Sequence, residues 1–193
     1  YPSLNALLNT RNMIFNYTPS DAHSIINCSL TLNNGINQTN QSIARGNPNT
    51  FSVNSLAEGY YTWSVNCTDS FNFTGNSSTR NFTIDATPPA VYLNTTSGLS
   101  FTNGAANLNY TAYDNYNRNL TCNLTVNSVV QNSNIPTTNG TLMERNISMQ
   151  DGFKLWNVKC WDDAGNINTS ETRNFSVVGG PYVELLKPQN GNI

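Results

Sequence analysis

The stretch "WSVNCTD" (Trp63–Asp69) returns as "WNVKCWD" (Trp156–Asp162), so Trp-x-Val-x-Cys-x-Asp is written twice, 93 residues apart. The same shift lays "STRNFTI" (Ser78–Ile84) on "ETRNFSV" (Glu171–Val177), Gly59 on Gly152, and "FNYT" (Phe15–Thr18) on "LNYT" (Leu108–Thr111). A slip of one residue then aligns Cys28 with Cys122. A repeat of this length is a duplicated domain, larger than the unit of a solenoid. A further register marker, Pro-x-hydrophobic-x-apolar, stands at Pro2–Ala6, Pro89–Leu93 and Pro181–Leu185. Together these divide the chain into a module at 1–87, a second at 88–179, and at 180–193 either the first strand of a third module or a donor strand.

Within each copy the apolar residues alternate with polar ones. Trp63, Val65 and Cys67 alternate with Ser64 and Asn66, and Phe82 and Ile84 with Asn81 and Thr83. Ile26, Cys28, Leu30 and Leu32 alternate with Asn27, Ser29 and Thr31. Period two marks a strand with one dry face and one wet face. Asn33-Asn34-Gly35 supplies a tight hairpin turn, because Asn and Gly tolerate positive φ. Asp163–Asn166 and Thr18–Asp21 read as further turns. No helix-period segment of useful length is present. Six or seven short strands per module, punctuated by turns, predict an all-β chain of two tandem β-sandwich modules.

The four cysteines fall two per module, Cys28 and Cys67, then Cys122 and Cys160, at separations of 39 and 38 residues. Of the three possible pairings, the repeat favours one bridge inside each module, with free thiols or a zinc site as alternatives. With one histidine (His23) and no Cys-x-x-Cys, zinc-ligand spacing is missing. Cys28 follows two earlier strand segments, so the bridge is expected to join the third strand to the strand of Trp63. Disulfides in turn predict a place outside the cytoplasm.

Asparagine fills 35 of 193 positions, serine and threonine 40 more, and charged residues only 10%, against roughly 25% in an ordinary globular chain. The net charge of −2 and the lack of a basic patch argue against nucleic acid as a partner. No apolar run is long enough to span a bilayer as a helix. The chain opens at Tyr1 without a signal-like stretch, and is read as a mature or excised segment. Asn-x-Ser/Thr acceptors stand at Asn16, Asn27, Asn37, Asn40, Asn66, Asn72, Asn76, Asn81, Asn94, Asn109, Asn119, Asn123, Asn139, Asn146, Asn168 and Asn174. Composition alone gives roughly 7, so the motif is enriched about twofold. N-linked glycans on these sites are expected. The competing reading is a wet strand face of Asn and Thr that spells the motif without sugar.

An enzyme needs a constellation of residues, and none is found. His23 lies in a polar turn without a counterpart in the second copy. Asp162-Asp163 suggests calcium, yet the first copy reads Asp69-Ser70 and no Glu stands at the right distance. Asp69 and Asp162 are expected to cap their own turns. Neither catalytic residues, metal ligands nor a cofactor other than glycan are predicted. Tyr113, Tyr116 and Arg118 are the nearest approach to a binding patch.

"GYYTWSVNCTD", then "STRNFTID" and "ATPPAVYL", resemble the immunoglobulin-like or fibronectin-type-III-like repeats of prokaryotic, especially archaeal, cell-surface proteins. The matching positions are Gly59, Tyr61, Trp63, Val65, Cys67, Asp69, Arg80, Phe82, Thr87, Pro88 and Pro89. In the second copy they are Gly152, Trp156, Val158, Cys160, Asp162, Gly165, Asn166, Arg173 and Phe175. Lys154 replaces the tyrosine, and Gly179-Gly180-Pro181 replaces the Thr-Pro-Pro linker. The resemblance implies fold and extracellular placement more than a task. Proline linkers predict a semi-rigid rod of modules. The function expected is a non-catalytic structural segment of a filament, surface layer or stalk, with neighbouring copies or modules of the same protein as partners. An adhesin for glycans or cells, or an accessory region of a secreted enzyme, are the alternatives. The isolated strand at 181–193 cannot bury Val183 and Leu185 alone. It either begins a third module or polymerises the chain by adding to a neighbour.

Overall fold

A computed structural model describes residues 2–102 and 104–180. The chain is all-β and falls into two compact units, residues up to Pro88 together with Asp162–Asn166, and Pro89–Trp161 together with the residues from Ile167 on. The first holds β1 (Ala6–Leu8), β2 (Met13–Tyr17), β3 (Ile25–Leu32), β4 (Gly35–Asn40), β5 (Asn49–Val53), β6 (Gly59–Asp69), β7 (Thr74–Asn76) and β8 (Arg80–Ile84). The second holds β9 (Ala90–Leu93), β10 (Leu99–Thr102), β11 (Ala105–Tyr113), β12 (Asn119–Val126), β13 (Val129–Thr138), β14 (Leu142–Ser148), β15 (Gly152–Trp161), β16 (Ile167–Thr169) and β17 (Arg173–Val178). Each unit thus carries more strands than the six or seven expected, because the short β1, β7, β10 and β16 have too few residues to show a period.

In the first unit one sheet runs β1-β8-β6-β3-β4 with β7 beside β6, and the other pairs β2 with β5. In the second unit the order is β10-β17-β15-β12-β13 with β16 beside β15, and the other sheet runs β14-β11-β9. Inward side chains of both sheets make each core: Met13, Phe15 and Phe51 meet Leu30, Trp63 and Phe82, with the Phe15 and Trp63 rings edge-on at 5.2 Å. In the second unit Leu108, Tyr110 and Leu93 meet Leu124, Trp156 and Phe175. Each unit is a β-sandwich, two sheets facing one another across a core.

The repeat extends to individual hydrogen bonds. The amides of Val65 and Val158 each donate to a serine hydroxyl, Ser77 and Ser170, at 3.0 Å. The amides of Thr62 and Leu155 each donate to Oδ1 of a turn asparagine, Asn33 and Asn127, at 2.9 Å. The tight turns have φ of 49° and 66° at Asn33 and Asn34, and 47° and 65° at Asn127 and Ser128. Positive φ at both central residues matches the twist of a hairpin, so here Asn33 and Asn34 carry the strain and Gly35 opens β4. Asp69 Oδ1 accepts from the amides of Phe71 and Phe73 at 2.9 and 2.8 Å, and Asp162 Oδ1 from that of Asn166 at 2.8 Å. Both aspartates cap their own turns.

One register marker is corrected. Pro2–Asn5 forms no strand. β1 instead pairs parallel with β8 through Ala6↔Phe82, and β10 with β17 through Leu99↔Phe175, both shifted by 93. β1 is therefore the counterpart of β10, and no described residue of the first unit stands where β9 does. Pro-x-hydrophobic-x-apolar marks a strand start of either kind, which is why it misled. The terminal segment 181–193 lies outside the described residues.

Both disulfides form within their units, Cys28–Cys67 and Cys122–Cys160. Each joins directly opposite residues of neighbouring antiparallel strands, β3 to β6 and β12 to β15. In the first unit that is the third strand and the strand of Trp63, and in the second the fourth strand and that of Trp156, each pair inside one sheet, with Cα atoms 4.0 and 4.1 Å apart. Replacing Cys122 and Cys160 together by Ala is expected to cost about 4 kcal/mol on the chain-entropy account of a loop near 40 residues. Urea unfolding of the oxidised and doubly substituted chains measures it. A loss well under 1 kcal/mol would mean that the β12–β15 ladder alone constrains the unfolded chain.

Candidate functional site

The alternation that buries Trp63, Val65, Phe82, Leu124 and Val158 sends the intervening asparagines to the wet faces of the sheets. Of the sixteen acceptor asparagines, eight are exposed: Asn16, Asn37, Asn72, Asn76, Asn94, Asn119, Asn146 and Asn168. The others, Asn27, Asn40, Asn66, Asn81, Asn109, Asn123, Asn139 and Asn174, are partly exposed, and none is buried. N-glycosylation forms a bond at Nδ2, so what matters is how each amide is used. Asn66 Oδ1 accepts from the Thr31 hydroxyl at 3.1 Å, Asn81 Oδ1 from the Asn5 amide at 3.0 Å, and Asn123 Oδ1 from the Asn134 amide at 2.8 Å. Asn94 Oδ1 likewise accepts from the Thr111 hydroxyl at 2.9 Å. In these four the carbonyl end is fixed, and the nitrogen makes no hydrogen bond among the described residues.

Asn139 differs. Its Nδ2 donates to the Asp114 carbonyl at 2.6 Å and to the Asn117 carbonyl at 2.8 Å, and its Oδ1 accepts from the Asp114 amide at 3.1 Å. Both amide hydrogens are committed to holding the β11–β12 loop, so a sugar there would break the loop's own bonds. Asn168 Nδ2 donates once, to the Pro89 carbonyl at 2.9 Å, and keeps one hydrogen. The motif cannot separate these cases, because Asn139-Gly140-Thr141 spells an acceptor as well as any other.

In the first unit a cleft of about 410 Å³ opens between the Tyr17–Asp21 segment and β6–β7, floored by Ile25, Val65 and Cys67. Cys67 is part-exposed, whereas its counterpart Cys160 is fully buried. Burial raises the pKa of Tyr17, which lines the cleft. Beside it, ligand atoms of Asp21, His23 and Asp69 lie within 4.8 Å of one another. These three could approach a cation together. Asp69 Oδ1 already caps its turn, and the His23 ring packs edge-on against Phe71 at 4.7 Å. Nothing in the spacing of these residues announces the grouping, since His23 and Asp69 are brought together only by β3 lying next to β6.

Of the tyrosines considered for binding, Tyr113 and Tyr116 are half exposed, and Tyr113 meets Tyr92 edge-on at 5.9 Å. Arg118 is exposed. Tyr92 is the member that sequence reading missed, because the β9–β11 ladder sets it opposite Thr111, next to Tyr113.

No family model matches the chain. No curated protein matches it either. Among solved structures it is similar to the fibronectin(III)-like modules of Clostridium thermocellum CbhA, with 13% identity, coverage of 96% of this chain and 97% of that one, and a TM-score of 0.54. The FN1–FN3 domains of chicken CNTN1 match with 9% identity over 91% of this chain and 66% of that one, at a TM-score of 0.49. At such identities the likeness to the CbhA modules shows the fold alone, two tandem sandwiches of the fibronectin-type-III and immunoglobulin-like kind.

Asn139→Ala is expected to destabilise the second unit by about 1–3 kcal/mol, since it removes three hydrogen bonds that hold the part-buried β11–β12 loop. Asn119→Ala, on the exposed end of β12, should stay within about 0.5 kcal/mol. Thermal or urea unfolding of the unglycosylated chains compares them. Equal effects would show that Asn139 is not a structural asparagine.

Proposed function

We propose that this chain is a non-catalytic structural segment of an extracellular, N-glycosylated surface protein of the prokaryotic, archaeal type: a filament, surface layer or stalk. The observation that supports it most is the use of the asparagines. They stand on the wet sheet faces, and at Asn66, Asn81, Asn94 and Asn123 the fold fixes the carbonyl while Nδ2 makes no hydrogen bond among the described residues. The two disulfides are compatible with an oxidising compartment. Sugars on both faces of thin sandwiches would also shield them from proteases and from sheet-to-sheet association.

A second reading, an adhesin, draws on the exposed Tyr92, Tyr113 and Tyr116; stacked or edge-paired aromatics are a surface on which a sugar ring can lie. Glycopeptide mass spectrometry of the native protein separates the readings. The structural reading expects occupancy at Asn66, Asn81, Asn94 and Asn123, and an unmodified Asn139. A chain bare at every site would sink it, and specific retention on a glycan array, lost with Tyr113→Ala, would put the adhesin in its place.

A further inference from the structure

An Asn-x-Ser/Thr motif on a strand puts its asparagine and its hydroxyl residue on one face, because side chains alternate. The residue directly opposite the hydroxyl, on the neighbouring strand, is then the diagonal neighbour of the asparagine. At that distance, roughly 7–8 Å, an aromatic side chain still reaches. The ladders of this chain repeatedly fill that place with a ring. Asn81-Phe82-Thr83 lies on β8 with Tyr60 of β6 opposite Thr83, and Asn174-Phe175-Ser176 lies on β17 with Phe153 of β15 opposite Ser176. Asn109-Tyr110-Thr111 lies on β11 with Tyr92 of β9 opposite Thr111. Asn119-Leu120-Thr121 lies on β12 with Trp161 of β15 opposite Thr121.

Aromatics scattered singly over a surface need no explanation, but these are not scattered. Among the described residues five rings point outward from the strands: Tyr60, Tyr92, Tyr113, Phe153 and Trp161. Four stand opposite the hydroxyl residue of an acceptor motif, and the fifth, Tyr113, lies against Gly140 and the edge of Tyr92. Tyr60 and Phe153 are 58% and 62% exposed, and neither meets another ring among the described residues. They stand 93 positions apart, so the two copies share the ring and not the phenol hydroxyl. An aromatic pairs well with a β-branched neighbour across a ladder, which accounts for Thr83 but not for Ser176. Asn81 is also held: its Oδ1 accepts from the Asn5 amide at 3.0 Å, and its Nδ2 makes no hydrogen bond among the described residues.

We propose that Tyr60 and Phe153 are platforms for the first sugar attached at Asn81 and Asn174, and that Tyr92 and Trp161 serve Asn109 and Asn119 in the same way. The C–H face of a pyranose lies on the ring, whose negative face attracts the polarised C–H groups. Each glycan is thereby laid along its sheet instead of swinging free, and it covers a ring that otherwise faces water. Tyr92 then serves a sugar of this chain and not a foreign one. The proposal rests on the glycan reading above and goes beyond it, since occupancy alone requires no ring.

The 193-residue chain is made in an N-glycosylating host and trimmed enzymatically to one N-acetylglucosamine per site, with occupancy of Asn81 confirmed by mass. Proton NMR should place the N-acetylglucosamine of Asn81 upfield, in the ring current of Tyr60. The shift should survive Tyr60→Phe and vanish in Tyr60→Thr, a residue that suits a strand. The sugar on Asn66, flanked by Ser29 and Asn76, should be unaffected by either change. Urea unfolding completes a cycle between ring and sugar, using the same chains made bare in a host that adds no glycan. Tyr60→Thr should lower the folding equilibrium constant of the first unit about two- to tenfold more in the sugar-bearing chain than in the bare one, the increment of an aromatic contact. Unshifted sugar protons on Asn81, or equal losses in the two chains, would overturn the stacking and leave the glycan reading standing. Native glycopeptides bare at Asn81, Asn109, Asn119 and Asn174 would overturn it as well, whereas a chain bare at every site sinks the glycan reading itself.

Discussion

Everything in each unit hangs on one pair of neighbouring strands. β3 and β6 lie antiparallel, with Cys28 opposite Cys67 and Leu32 opposite Trp63, and the ladder of β12 and β15 repeats this with Cys122 opposite Cys160 and Val126 opposite Trp156. The bridge fixes register: a one-residue slip would turn every inward side chain of these strands to water. With the register pinned, Trp63 and Trp156 are held against the second sheet, and the turns at Asn33 and Asn127 must close within two residues. A sandwich of this size buries little surface relative to its length, so a covalent tie between central strands stabilises where a larger core is not available.

How much of this was legible follows from which constraint wrote it. The repeat, the strands around Trp63 and Phe82, and the pairing of cysteines could be read, because burying one face of a strand forces period two and the duplication confirms each assignment. β1 and β10 could not be read correctly, since three or four residues hold no period and their parallel pairing with β8 and β17 is set by tertiary contact. The acceptor asparagines were visible as motifs, yet their chemistry was not. Whether Nδ2 is free depends on whether a loop has claimed it, as the β11–β12 loop claims Asn139, and that is a matter of partners distant in sequence.

Asparagine does three physical jobs in this chain, which accounts for its abundance better than any one of them. At Asn5, Asn33, Asn34, Asn72, Asn127 and Asn134 it takes positive φ, where most side chains are strained and a glycine would leave the unfolded chain freer. At Asn33, Asn123 and Asn127 its carbonyl satisfies a backbone amide. On the outward faces it is polar without being charged. A chain with only 10% charged residues has little electrostatic repulsion to keep copies apart, so its surface must be kept wet by amides and hydroxyls, or by what is attached to them.

That scarcity of charge makes the sheet edges informative. β4 and β13 are edge strands, and their pairing with β3 and β12 is interrupted by bulges, at Leu30/Thr31 and at Cys122/Leu124 and Leu124/Thr125. Bulges twist an edge away from flat pairing, and Pro136 withholds one amide from β13. At the opposite ends β1 and β10 are short. Natural sandwiches blunt their edges by such means because an unprotected one recruits strands.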